Sequence, residues 1–184
     1  MVAVSGSPVP IQRTRAVEVF GNRYGRLYDD EVISPGGETG RYLRWQWDRD
    51  GVVIVPRQGE KFALVSMYRY PIADVSLEFP RGGREPGESV ESAALRELRE
   101  ETGFAGTDLR VLGRVHPETG LIESSIDVVS AEVPSGRPDM GTPEKMESIG
   151  EPSWLTWAEI GVEMARGRIT CGVTLSALAL ALSR

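Results

Sequence analysis

Thiols and imidazoles are nearly missing from this chain of 184 residues, which has one cysteine, Cys171, and one histidine, His116. A lone cysteine excludes an intrachain disulfide and a multi-thiolate zinc site, and it fits a reducing, cytoplasmic setting. A lone histidine leaves any triad or histidine-metal chemistry resting on His116 alone, and that residue reads as an ordinary turn position. Long apolar runs are missing too. No stretch approaches the roughly 20 apolar residues of a membrane span, and the opening MVAVSGSPVPIQRTR has no sustained apolar core after a basic start, so no membrane partner is expected. Positive charge is not in excess either: 21 Lys and Arg stand against 27 Asp and Glu, a net −6, which argues against duplex DNA or RNA as a partner. The same balance repels a polyphosphate. Any phosphate site must therefore be made attractive locally, by arginines or a bound cation.

What is present is enough for one buried core, with 40% hydrophobic residues. Regular structure is expected from about Arg15, after a loose terminus. Strand-like runs at Ala16 to Phe20, Arg26 to Ile33 and Tyr42 to Trp47, with the turn signal Ser34-Pro-Gly-Gly before the last, predict a small antiparallel sheet. Val52 to Pro56 and Phe62 to Tyr68 read as core strands joined by a hairpin. Further strands are expected at Leu109 to Val115 and Ser125 to Val133. The Pro- and Gly-rich stretch from Pro134 to Pro152 is too long for a simple connection, and long loops often carry function. Thr156 to Glu159 is a capping box, Gly167 stops that helix, and a last helix runs from about Val173 to Leu182.

The chemistry lies in Gly82-GREPG-Glu88-SVESAAL-Arg96-Glu97-Leu98-Arg99-Glu100-Glu101-Thr102-Gly103-Phe104. Good helix formers between an N-cap at Ser89 and a C-cap at Gly103 predict a helix over 89–102. At about 100° per residue, Glu97, Glu100 and Glu101 share a sector beside an apolar stripe of Ala94, Leu95 and Leu98. Like charges so close cost a few tenths of a kcal/mol unless something offsets them. A hard divalent cation does, and oxygen-only ligands select Mg²⁺, with Mn²⁺ as the other choice. The competing explanation is a solvated helix whose glutamates pair with Arg96 and Arg99; it leaves the glycine-rich entry, Glu88 and the exit glycine without a purpose.

This segment resembles the Nudix box, Gly-x5-Glu-x7-Arg-Glu-U-x-Glu-Glu-x-Gly-U with U apolar, at all nine of its defined positions over 23 residues. The resemblance implies an α+β fold, a mixed sheet between helices with the box as a loop-helix-loop, and a small N-terminal antiparallel sheet. It implies a Mg²⁺-dependent hydrolase of a nucleoside diphosphate linked to another moiety. Carried over by position, Glu97, Glu100 and Glu101 are the catalytic metal cluster, Glu97 and Glu101 being the direct ligands, with the Arg81 carbonyl completing the sphere. Arg96 then orients Glu88 or Glu97, behind the turn at Gly82.

The flanks are similar to ADP-ribose pyrophosphatases. SMYRYPIADVSLEFPRGG matches their Tyr-Arg pair and the acidic residue two positions before a proline, so Arg69 is expected to bind pyrophosphate or ribose and Glu78 to lie near the metal or a terminal ribose. Pro117, 14 residues after Gly103, is close to that subgroup's proline. The resemblance divides the chain into residues 1–48, a tail and sheet expected to form a homodimer, and a catalytic part, 49–184. Tyr28, Trp45 or Trp47 is placed to stack on adenine, although packing explains any single aromatic as well. In the long loop, Glu147, with Glu144 as alternative, takes the position of a mobile base or second-metal ligand. The expected reaction is ADP-ribose to AMP and ribose 5-phosphate. The alternatives are another nucleotide sugar such as GDP-mannose, a dinucleoside polyphosphate, or a non-catalytic nucleotide-sensing domain.

Overall fold

In the computed structural model, residues 7–135 and 148–183 are described, and they divide into two compact units. Among the described residues, the first comprises 7–48 and 118–124; the second comprises 49–117, 125–135 and 148–183.

The first unit is built on β3 (Gly25–Ile33), with nine residues the spine of a four-stranded antiparallel sheet. β1 (Gln12–Arg15) and β2 (Glu18–Asn22) lie along one edge of β3, and β4 (Thr39–Trp47) pairs with the other. Structure therefore begins slightly earlier than the sequence predicts, because the Thr14 hydroxyl and the backbone of β1 are fixed on Glu31 and its neighbours. The loop 118–124 belongs here: Trp45 N–H donates to the Leu121 carbonyl, and Glu123 N–H to that of Trp45. At Gly25 an added Cβ would collide with the Gln46 carbonyl, so the tight β3–β4 pairing requires glycine.

The second unit holds a mixed seven-stranded sheet in which β11 (Ser153–Thr156), β6 (Lys61–Arg69), β5 (Gly51–Gln58), β10 (Ile126–Glu132) and β9 (Thr107–Val115) lie side by side. Only β10 and β5 run parallel. β5 carries Val52 to Val55 without alternation because both its faces are covered. Val52 and Ile54 pack with Ala93, Ala94 and Leu98 of α1 (Val90–Thr102) on one face, while Val53 and Val55 pack with Ile160 of α2 (Trp157–Ala165) and Ala177 and Leu178 of α3 (Gly172–Leu182) on the other. Among the described residues no helix is long and apolar enough to cross a membrane.

β5 and β6 pair only beside their hairpin, at Arg57↔Phe62 and Gln58↔Lys61. Past that point each takes a separate partner, β6 pairing with β7 (Asp74–Glu78) and β5 with β8 (Arg81–Gly83). The chain from Glu78 to Arg81 thereby crosses from one to the other, with Ile54 N–H fastened to the Pro80 carbonyl at 2.9 Å. This crossing sets out the functional residues.

Candidate active site

The helix α1 starts where the Ser89 hydroxyl accepts from Ser92 N–H and ends at Gly103, whose φ of 71° suits glycine. Its buried face is Ala93, Ala94, Glu97, Leu98, Glu101 and Thr102, whereas Leu95, expected in the stripe, is 37% exposed. Of the three clustered glutamates of α1, Glu97 and Glu101 are thus buried, and Glu100 sits half-exposed at the rim. The explanation of a simply solvated glutamate face does not describe this helix.

One arginine organises the cluster. Arg96 forks onto Glu88 through Nε and Nη2 at 3.0 and 2.9 Å, while Nη1 reaches Glu97 at 2.7 Å and Glu100 at 3.0 Å. Its Nη2 also donates to the Gly83 carbonyl at 2.8 Å. The Arg96 side chain holds the Glu88 carboxyl below the usual range, and Glu88 in turn drives the Arg96 pKa up, so both stay charged. Glu101 accepts from the Arg81 N–H at 3.3 Å, which ties the helix end to β8. Gly82 sits directly on Glu97: an added Cβ would overlap the carboxylate. The missing side chain is what lets the β8 backbone lie against it.

Among the described residues no three acidic, histidine or cysteine side chains already converge as a ready metal cage. Arg96 is the physical reason for two of them, since it draws Glu97 and Glu100 toward itself and Glu88. The donor set still suits a hard cation, because Glu97, Glu100, Glu101 and backbone carbonyls offer only oxygen, and the cradle at Gly82 leaves the carboxylate of Glu97 facing main chain.

Beside this cluster stands a second one. Glu78, its side chain 2% exposed, accepts from Arg69 Nε at 3.0 Å and Nη2 at 2.7 Å, and from Arg81 Nε at 3.2 Å. Burial pushes the Glu78 carboxyl up, but the Arg69 hydrogen bonds and the two positive charges outweigh it and hold the group below its ordinary value. Arg69 is raised in return, despite its own burial. The sequence reading placed Arg69 and Glu78 in one region without pairing them. Cys171, just before α3, also helps to hold Glu78 below its ordinary value.

Tyr28 lies in the first unit, one ring face covered by the Arg44 guanidinium at 3.9 Å, and Trp45 and Trp47 make an edge contact at 5.3 Å. Glu144 and Glu147 fall outside the described residues. The chain after them is fixed on β6, with Tyr68 N–H donating to the Ser148 carbonyl at 3.1 Å and Gly150 N–H to the Ser66 carbonyl at 2.8 Å. Tyr68 is the neighbour of Arg69.

A model of the NUDIX domain matches residues 47–170. An uncharacterised Nudix hydrolase of Schizosaccharomyces pombe is 33% identical over 101 residues, 54% of this chain but only 49% of that protein, so the match spans about half of its length. An ADP-ribose pyrophosphatase of Bacillus subtilis is 25% identical over 148 residues, covering 80% of this chain and 77% of that one. A crystal structure of an ADP compounds hydrolase superposes with a TM-score of 0.82 over 97% of this chain and 96% of the other; at 24% identity the likeness is one of fold.

Proposed function

Because the chain belongs to the Nudix domain family, we propose that it hydrolyses the pyrophosphate of a nucleoside diphosphate linked to another group, ADP-ribose first among them, yielding AMP and ribose 5-phosphate. The observation that supports this best is the pair of buried carboxylates, Glu97 and Glu101, lined up on α1 against the β8 backbone at Arg81 and Gly82. Two carboxylates brought to the buried side of one helix, Glu97 held there by Arg96 at 2.7 Å, concentrate oxygen donors where a hard cation would use them. The similarity to an ADP-ribose pyrophosphatase adds the substrate class.

Glu97, Glu100 and Glu101, with the Arg81 carbonyl, would hold Mg²⁺ or Mn²⁺. When bound, such an ion supplies charge neutralisation at the diphosphate and a water of lowered pKa. Arg96, itself held by its fork on Glu88, keeps Glu97 and Glu100 oriented. Arg69 bonds Glu78 through Nε and Nη2; among the described residues its Nη1 makes no hydrogen bond and would hold a phosphate oxygen, with Glu78 fixing the angle at which it is presented. Glu147, with Glu144 as fallback, removes the proton from the attacking water. The residue after Glu147, Ser148, accepts at its carbonyl from the N–H of Tyr68, the neighbour of Arg69.

A Mg²⁺-supplemented screen of ADP-ribose, GDP-mannose and dinucleoside polyphosphates, reading released phosphomonoesters, tests the proposal. Release of AMP from ADP-ribose at the highest kcat/KM is expected, and no release from any of them, with nucleotide binding retained, would favour a sensing domain. Glu147→Gln should lower kcat by about 10²–10⁴-fold with KM nearly unchanged, as a proton acceptor works in the transition state; wild-type kcat in Glu147→Gln and in Glu144→Gln alike removes the loop from the mechanism.

The reading also pairs two copies through the first unit, whose sheet leaves Val19, Phe20, Leu43 and Trp47 exposed. Light scattering at micromolar concentration should give twice the chain mass, and a monomer would overturn the pairing.

A further inference from the structure

The entry loop of the box begins at Arg84, whose N–H is fastened to the Asp50 carbonyl at 2.9 Å, and turns back through Pro86 and Gly87, the latter at φ +80°, to Glu88. A loop so bent, exposed from Glu85 to Gly87, has little packing of its own to define where Glu88 sits. Glu85 and Glu88 bond each other across the turn, Arg49 pairs with Glu85 and Arg96 holds the Glu88 carboxylate, and Arg84 ties the loop to the sheet interior. Arg84 donates through Nη2 to the Glu88 carbonyl at 3.1 Å and through Nη1 to Asp127 Oδ2 at 3.3 Å. Asp127 lies on β10 opposite Val52 of β5, in the interior of the sheet, with 6% of its side chain exposed.

We infer that Asp127 is a positioning residue for the metal-binding carboxylates, acting through Arg84 to fix the backbone of Glu88 and, through the fork of Arg96 on Glu88, the orientation of Glu97 and Glu100. The sequence singles out neither Asp127 nor Arg84. Asp127 has a second partner, Arg114, at 2.8 Å through Nε, but that pair joins β10 to β9, which are already hydrogen-bonded, and its arginine is 57% exposed. Arg114 neutralises Asp127; Arg84 transmits its position. A carboxylate buried in a sheet needs one arginine to offset desolvation, and the second one reaches a loop that makes no other hydrogen bond to this strand among the described residues. The inference rests on the proposed hydrolase reading for its catalytic consequence, not for the anchor itself.

Asp127→Asn, which keeps shape and removes charge, and Arg114→Gln, which cuts only the strand-to-strand pair, separate the roles. Amide hydrogen exchange on the protein without substrate or metal should quicken at Glu85 and Glu88 in Asp127→Asn and stay as in wild type in Arg114→Gln. With ADP-ribose and Mg²⁺, Asp127→Asn should lose about 10- to 100-fold in kcat with KM held within about twofold, and Arg114→Gln should keep both. Unchanged loop exchange in Asp127→Asn, an equal change in Arg114→Gln, or faster exchange with wild-type kcat would each overturn the inference. Should Asp127→Asn not fold, Arg84→Gln cuts the same connection from its loop end and is read in the same way. If the wild-type chain hydrolyses no pyrophosphate, the functional reading fails, and the exchange measurement still decides whether Asp127 anchors the loop.

Discussion

Glu101→Gln is expected to lower pyrophosphate hydrolysis by about 10²–10⁴-fold, the several kcal/mol that a metal ion contributes to a transition state divided by 1.36 kcal/mol per decade. The substitution keeps the shape of the side chain and an oxygen able to accept from Arg81 N–H, so the thermal midpoint should move by only a few degrees. Glu101 is 6% exposed and Glu100 lies at the rim, where water screens its charge. Glu100→Gln should therefore cost less than Glu101→Gln under the same conditions. Phosphomonoester release and thermal melting on each variant provide the comparison. Wild-type turnover in Glu101→Gln would place the metal elsewhere.

The largest effect on stability is expected from Arg69→Met. It removes the two-pronged partner of a carboxylate that is 2% exposed and leaves Arg81 as the remaining cation. Breaking a buried pair costs about 3–5 kcal/mol when nothing replaces the lost charge, and with Arg81 still in place about 3 kcal/mol is the appropriate figure. That corresponds to a fall of about 6–12 °C in a domain of this size. The pH dependence has a definite sign. Glu78 has a folded pKa below its ordinary 4.5, so in the wild type its contribution is present above about 4.5 and is lost as the pH falls through the depressed value. In the variant burial prevails, the folded pKa rises, and protonation relieves the penalty on acidification. The gap between wild type and Arg69→Met should be widest near neutral pH and close below about 4.5. A gap that is constant from pH 4 to 8 would mean that the lost stability comes from packing of the arginine stem and not from charge.

The parts of the fold legible in the sequence are those set by local rules. α1 announces itself through Ser89, its helix formers and Gly103, and the Thr156–Glu159 capping box appears with both reciprocal bonds. β7 and β8 escape such reading. β8 is three residues, two of them glycine, with no alternation to see, and it becomes a strand only because β5 and β6 splay and leave open the edge of Gly51 to Val53 that faces away from β10. Site residues follow the same division. The spacing of Glu97, Glu100 and Glu101 is a property of one helix and is visible in the sequence. Contacts such as Arg69 with Glu78 and Arg84 with Asp127 join residues from separate elements, and no spacing rule reports them. Arg96 shows why the two sequence readings of the helix were hard to separate: it pairs with Glu97 and Glu100, as a plain salt-bridged helix would, while the burial of Glu97 and Glu101 departs from it.

The first unit is discontinuous, since β4 receives its outer hydrogen bonds from residues 121–123 and the Ser124 hydroxyl takes the Trp47 N–H. On a ribosome this means that the part made first is not the part finished first. β4 must emerge with its outer edge open and stay so until α1 and β9 have been synthesised and residue 124 has followed, a window in which an unpaired edge bearing Tyr42, Leu43 and Trp47 can find a neighbouring nascent chain.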